Sequence, residues 1–400
     1  MHRPRLYDAI LQRHLREERQ MAFVAGPRQV GKTTTCRALR PEPAYLSWDD
    51  QDDRRIIVAG PAEVATHLGL SQLRSEKRIV VFDELHKYRR WKTFLKGLFD
   101  KHAADLSIIV TGSARLDVYR RGGDSLMGRY FLYHMHPLTV GELVRPGVEP
   151  DLISEPVALD ENLWRRLEDH GGFPEPFERD HARFTRRWRV LRRQQLVRED
   201  LRDLTRIQEV DQLALLVDVL EKQSSAQIGY SSLAQQINVS VDTVRRWMKT
   251  LTYLHHGFLV RPWYRNVRKS LRKEPKYYLR DWSGIVDAGA RAETLVACHL
   301  FKAVQLWQDL GLGEFSLHYL RDKLKREVDF LVVRDGEPWI LAEVKQSDTR
   351  LTPNLRHFQA QLRAPHAFQI VLEMPYVQAD PFDHHDPVVV PAATFLSQLP

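Results

Sequence analysis

Short apolar runs alternate with amphipathic stretches through roughly the first third of the chain. Met21–Ala25, Ala44–Trp48, Ile79–Phe82, Ser107–Val110 and Tyr130–Tyr133 have strand length and strand composition. Between most of them lie helix-compatible segments, Thr34–Leu39, Glu63–Leu73 and Trp91–His102. Strands separated by helices predict a parallel α/β sheet built from βαβ units and covered on both faces. From Pro137 to Pro176 proline and glycine accumulate (PLTVGELVRPGVEP, then GGFPEP), which marks a domain boundary. Residues 177–222 read as helical, with Phe184, Trp188 and Leu191 at i, i+4, i+7. The other face carries Arg183, Arg186, Arg187, Arg189, Arg192 and Arg193, a solvated or ion-pairing surface by composition. A compact segment follows at 223–282. From residue 284 a long helix leads into strands at Phe315–Leu320, Glu327–Val333 and Trp339–Lys345, a helix at Asn354–Leu362 and a strand at Phe368–Leu372.

With 43% hydrophobic and 10% aromatic residues in 400, the chain has apolar surface for more than one core, and intrinsic disorder is excluded. No apolar run reaches membrane-spanning length, and the basic start MHRPRLYDAI lacks the apolar stretch of a secretory signal. Two cysteines, Cys36 and Cys298, make no disulfide framework, so a cytoplasmic protein without a membrane partner is expected. A formal charge of +8 permits nucleic acid as a partner without requiring it. His384 and His385 have no companion at ligand spacing and are not read as a metal site.

Gly26, Pro27, Arg28, Gln29, Val30, Gly31, Lys32 and Thr33 spell GxxxxGK[ST], after the strand MAFVA and before the helix-compatible TTTCRAL, in which Thr34 follows directly. Such a loop turns its backbone N–H groups inward, and the following helix adds its positive end. Lys32 can then reach the β- and γ-phosphates of ATP, and Thr33 can ligate Mg²⁺. The run Ile79–Phe82 ends in Asp83 and Glu84, two carboxylates expected at the carboxyl edge of the sheet. Asp83 is placed to hold the Mg²⁺ shell and Glu84 to polarise a water. Thr111, with Ser113 as second choice, is a candidate for hydrogen bonding the γ-phosphate or that water. Arg129 is a candidate finger onto a neighbouring subunit's phosphate, which would require a homo-oligomer; a solvated arginine is the other reading.

GPRQVGKTTT, YLSWDD, VVFDELHK, VTGSARLDV and SLMGRYFLYHMHPLTVGE, in that order, resemble the prokaryotic AAA+-type ATPases that carry a C-terminal winged-helix and nuclease-like region of unknown function. GGFPEP and the later motifs extend the resemblance over essentially the whole chain. It implies a P-loop ATPase core, with Lys32 on phosphate, Thr33 and Asp83 on Mg²⁺ and Glu84 activating water.

Within 223–282, Tyr230–Ile237, the turn Asn238-Val239-Ser240 and the next segment read as helix–turn–helix, with Ser240 as cap and Asp242 in the first turn. Val244, Trp247, Leu251 and Leu254 share one face, while Arg245, Arg246 and Lys249 point elsewhere, the layout of a DNA-recognition helix. Arg261 to Tyr278 interleaves Arg261, Arg265, Arg268, Lys269, Arg272, Lys273 and Lys276 with Trp263, Tyr264, Tyr277 and Tyr278. That mixture suits phosphate contact and base stacking, or equally a packing module with a solvated loop. Farther on, Asp329 precedes Glu343-Val344-Lys345, whose alternation puts Glu343 and Lys345 on one face of a strand. Asp329 and Glu343 can hold a divalent metal, Lys345 can orient its water, and Glu293 can add a further acid or base. This D…ExK pattern and element order resemble the restriction-endonuclease-like fold; Lys323, Lys325 and Arg326 nearby suit a phosphate backbone or a solvated hairpin. The expected domains are therefore 1–140 (P-loop ATPase), 141–222 (linker and helices), 223–282 (winged helix) and 283–400 (restriction-endonuclease-like, α/β). A switch or scaffold with a catalytically silent C-terminal half is the alternative.

Overall fold

The structure is a computed structural model that describes residues 3–73, 75–112, 126–196, 210–264 and 273–400. The chain divides into two compact units, Met1–His136 with Arg145–Glu149, and Pro137–Val144 with Pro150–Pro400.

The first unit runs α1 (Leu6–Glu17), β1 (Met21–Ala25), α2 (Lys32–Ala38), β2 (Ala44–Ser47), α3 (Gln51–Ala59), α4 (Pro61–His67), β3 (Arg78–Asp83), α5 (Trp91–His102), β4 (Leu106–Gly112) and β5 (Tyr130–His134). Among the described residues the five strands form one sheet in the order β2-β3-β4-β1-β5, every pairing parallel. All of β1 is buried, which is why MAFVA carries no polar residue. Parallel strands release the chain along one edge, and β4 stands between β1 and β3. The acidic pair is thus one strand removed from the glycine loop, with Thr111 of β4 in between. Helices α1 and α3 lie outside the sequence expectation. Helix α1 buries the stripe Leu6, Tyr7, Ile10, Leu11 and His14, and α3 is started by Asp50, whose side chain accepts from the N–H groups of Asp52 and Asp53. The helix expected at Glu63–Leu73 is α4, which starts on Pro61 and ends at His67.

The second unit contains α6 (Val140–Val144), α7 (Glu161–His170), α8 (Pro174–Arg179), α9 (Ala182–Gln195), α10 (Val210–Lys222), α11 (Tyr230–Gln236), α12 (Val241–Tyr253), β6 (Gly257–Pro262), β7 (Lys276–Leu279), α13 (Ala288–Asp309), β8 (Phe315–Arg321), β9 (Glu327–Arg334), β10 (Glu337–Lys345), α14 (Pro353–Leu362), β11 (His366–Val371), β12 (Val388–Pro391) and α15 (Ala392–Ser397). The stretch read as a boundary therefore carries short helices of its own. A mixed sheet runs β12-β11-β10-β9-β8-β6-β7. The hairpin β6–β7 follows the helix–turn–helix and joins β8 through Arg261↔His318 and Pro262↔Tyr319. Segments 223–282 and 283–400 consequently share one sheet and one apolar core, in which Trp247, Phe258, Tyr278, Leu295 and Phe330 are buried together.

On α9 Trp188 is buried but Leu191 is 56% exposed, so the apolar stripe is narrower than its spacing suggests. Its arginines split between roles: Arg193 pairs with Asp218 and Glu221, Arg192 lies over the Phe173 ring, and Arg183, Arg186 and Arg187 are exposed. A buried ion pair ties α6 to α13. Lys302 Nζ lies 2.6 Å from Glu142 Oε2 and donates to Thr139 Oγ1 at 2.8 Å, and both charged side chains are essentially inaccessible.

Candidate functional site

The phosphate loop leaves β1 at Gly26, where a Cβ would stand 2.3 Å from the backbone carbonyl oxygen of Met135; only glycine fits this approach. Gln29 (φ 63°) and Gly31 (φ 103°) turn the loop back, and α2 begins at Lys32. Arg5, the residue just before α1, braces it, donating to the Val30 carbonyl and to the His136 carbonyl, each at 2.8 Å. Pro27 and Val30 are buried, Arg28 is half-buried, and Gln29 and Thr34 are exposed. Lys32 Nζ, 7% accessible as a residue, donates to the carbonyls of Gly26 (2.9 Å) and Pro27 (2.8 Å). Burial pushes its ammonium below the ordinary range, with Glu84 and Asp83 pulling the other way.

Asp83 gathers hydroxyls from three elements. Thr33 Oγ1 donates to Asp83 Oδ2 at 3.1 Å, Tyr45 Oη donates to the same oxygen, and Thr111 Oγ1 donates to Oδ1. Burial, then the bond to Asp83, raise the Tyr45 phenol above its usual range. The hard oxygen donors Thr33 and Asp83 side by side fit a magnesium ion, and the buried Lys32 beside an inward-turned loop fits a polyphosphate. Glu84 follows in the left-handed region (φ 56°), its N–H on the Thr111 carbonyl at 3.1 Å and its carboxylate 3.7 Å from His86 Nε2 and 3.5 Å from Lys87 Nζ. Thr111, expected on phosphate or water, is thus engaged with Asp83, and Ser113 lies outside the described residues. Arg129 immediately precedes β5, at the opposite edge of the sheet from the loop, and binds Asp100 through Nε at 2.7 Å. Sequence reading missed Tyr45 and Arg5. The tyrosine falls in YLSWDD, and the β2–β3 register that sets Ser47 beside Asp83 brings it alongside.

The second unit brings Glu293, Asp329, Glu343 and Lys345 into one cluster, but around another residue, Lys276. Its Nζ lies 2.7 Å from Glu327 Oε1, 2.9 Å from Glu293 Oε1 and 3.4 Å from Asp329 Oδ1. Tyr278 donates to Glu293 Oε1 (2.6 Å), Val344 N–H to Asp329 Oδ2 (2.9 Å), and Lys345 Nζ to Glu343 Oε1 (2.9 Å). Burial first, and Asp329 second, raise Glu293 and Glu343 to about 7. Burial alone would lower Lys276, but Glu293, Asp329 and Glu327 hold it above its ordinary value. Among the described residues no group of three or more His, Cys, Asp or Glu is arranged to hold a metal.

This overturns one expectation. Lys276, Tyr277 and Tyr278 do not face a nucleic acid, because every residue of β7 is buried. Arg265, Arg268, Lys269 and Arg272 lie outside the described residues. On α12, Val244, Trp247 and Leu251 are buried and Leu254 is half-buried. Ser240 Oγ accepts from Thr243 N–H at 3.1 Å, and Arg245, Arg246 and Lys249 are exposed, Arg245 3.3 Å from Asp242.

Residues 18–144 match the AAA domain family, and this segment holds the loop, the parallel sheet and the acid pair described above. Residues 161–294 and 288–391 match two domains of unknown function, DUF8612 and DUF4143. An uncharacterized protein of Mycobacterium tuberculosis is 24% identical over 340 residues, 82% of this chain and 71% of that one. Another, from Methanocaldococcus jannaschii, is 23% identical over 292 residues, 65% of this chain and 60% of its own. Among solved structures, a Walker-type ATPase of Pyrococcus abyssi is similar with TM-score 0.40 and 15% identity, covering 72% of this chain and 95% of that one. AMPPCP-bound DnaA from Aquifex aeolicus is similar with TM-score 0.32 and 13% identity, covering 61% and 86%. Among the described residues no helix is long and apolar enough to cross a membrane.

Proposed function

We propose that the chain is a magnesium-dependent ATP hydrolase whose second unit contacts DNA. The observation that carries the catalytic part is the contact between Thr33, beside buried Lys32, and Asp83, backed by Thr111. Thr33 and Asp83 would hold the ion, which when bound screens phosphate charge. Lys32 and the loop N–H groups neutralise and orient the phosphates. Glu84, held between His86 and Lys87 at the edge of β3, positions and deprotonates the attacking water. Thr111 and Tyr45 act as positioning residues through Asp83. Lys32→Ala should abolish nucleotide binding, whereas Glu84→Gln should keep binding and stop turnover. Normal ATPase rates in both variants sink the proposal.

The DNA part rests on Arg245, Arg246 and Lys249, which stand exposed on a capped helix with an apolar back, as a recognition helix would present them. The resemblance to winged-helix and restriction-endonuclease-like folds supports the same reading. Arg246→Glu with Lys249→Glu should weaken binding to a labelled duplex and flatten its salt dependence in fluorescence anisotropy. Salt-insensitive or absent binding in the parent favours the scaffold alternative, in which the basic face meets an acidic protein. A finger role for Arg129 needs a second copy of the chain; mass measurement with and without an ATP analogue tests it.

A further inference from the structure

Four carboxylates meet in the second unit, Glu293 on α13, Glu327 and Asp329 on β9 and Glu343 on β10. The pattern of Asp329 with Glu343-Val344-Lys345 suggests a divalent-metal centre, yet the donors already there are nitrogen and hydroxyl protons. Lys276 Nζ touches three of the carboxylates within 3.4 Å. Glu293 Oε1 accepts from both Lys276 and Tyr278, and Asp329 divides its oxygens between Lys276 and the Val344 N–H. Lys345 holds Glu343, and Arg321 Nη1 holds Glu327 Oε2 at 2.8 Å. Lys276, Lys345 and Arg321, with the Tyr278 hydroxyl, thus answer all four carboxylates. Magnesium needs a near-octahedral oxygen shell at about 2.0–2.1 Å. Seating it would set two positive charges against an ammonium that the strand cannot withdraw, since β7 is hydrogen-bonded to β6 and Lys276 is buried. Glu343 Oε2 has no hydrogen-bond partner among the described residues, but one oxygen is one ligand. The residues do not fit a metal.

We infer that Lys276 is the resident cation of this cluster, and that the second unit takes no divalent ion there and cleaves no phosphodiester by a metal route. The nuclease pattern then serves as a lysine-centred polar core that fixes β7, β9, β10 and α13 to one another. The inference does not depend on the ATPase reading, because none of its measurements reads ATP turnover.

The test uses the full chain with Lys32→Ala, which empties the nucleotide's magnesium site, titrated with Mn²⁺ and followed by electron paramagnetic resonance. The expected result is no ion bound tighter than about 1 mM that Asp329→Asn releases, and plasmid left intact in excess Mg²⁺ or Mn²⁺. A stoichiometric Mn²⁺ released by Asp329→Asn overturns the inference, as does cleavage abolished by Lys345→Ala. Lys276→Gln should acquire a Mn²⁺ site at least about tenfold tighter than the parent's, with a melting temperature that rises on adding the ion. A folded Lys276→Gln with the parent's indifference to Mn²⁺ also overturns it. Should that variant not fold, the parent titration decides by itself.

Discussion

Replacing Lys302 by methionine should destabilise the second unit in a way that acid repairs. The ammonium is buried against Glu142 and Thr139, so its removal takes the opposite charge away from a carboxylate buried beside Leu138, Val140 and Leu143. The cheapest escape is for Glu142 to take up a proton. From a free value of about 4.3, staying neutral at about pH 7 costs about 4 kcal/mol, falling to about 1 kcal/mol at about pH 5. The converse change, Glu142→Leu, takes the opposite charge away from Lys302, and shedding its proton at about pH 7 would cost about 5 kcal/mol. Both lie in the range seen when one partner of a buried pair is removed, and a domain has only about 5–15 kcal/mol to lose. Lys302→Met with Glu142→Leu removes both buried charges and should regain most of the loss. The assay is hydrogen exchange of α13 amides in the full chain, read as opening free energy at the two pH values. A Lys302→Met deficit equal at both, or a double variant as weak as the two losses added, would refute the reasoning.

Three other outcomes are expected. Gly26→Ala forces a Cβ against the Met135 carbonyl and should abolish binding of a fluorescent ATP analogue; unchanged affinity contradicts the close approach. Tyr45→Phe removes one hydroxyl from Asp83 and should raise the Mg²⁺ needed for half-maximal turnover about three- to tenfold while leaving the fold intact, and an unshifted magnesium curve counts against that role. Glu293 and Glu343 sit at about 7 when folded, above their unfolded value of 4.5. The folded state therefore holds more protons, so their contribution is full below about pH 4.5 and is lost as pH rises through about 7. Nucleotide-free protein should melt lower at about pH 8 than at about pH 5, and Glu343→Gln should flatten that slope.

The candidate phosphate loop and its acid pair were legible as a constellation because their determinants are local. Glycine spacing, an unbroken apolar run and two terminal carboxylates survive without knowledge of neighbours, and Asp83 meets Thr33 where that pattern demands. Arg5 and Tyr45 were not legible, since each reaches the site across the sheet or from another helix, and a lone arginine or tyrosine carries no spacing signal. Lys276 shows the opposite failure. In a basic, aromatic stretch it looked like a surface residue, because composition cannot reveal that KYYL is covered on both faces. The division at 282/283 was drawn at a change of motif, whereas a single β6–β8 pairing carries sheet and core across it. Helix α1 was missed although its stripe Leu6, Tyr7, Ile10, Leu11 and His14 has the period of an amphipathic helix.

Glu84 keeps a backbone angle that L-residues avoid. Glycine there would relieve about 1–2 kcal/mol of torsional discomfort. The proposed catalyst is therefore also a weak joint, and a selection for heat tolerance alone would drift toward sturdier proteins that had lost the carboxylate proposed to activate water.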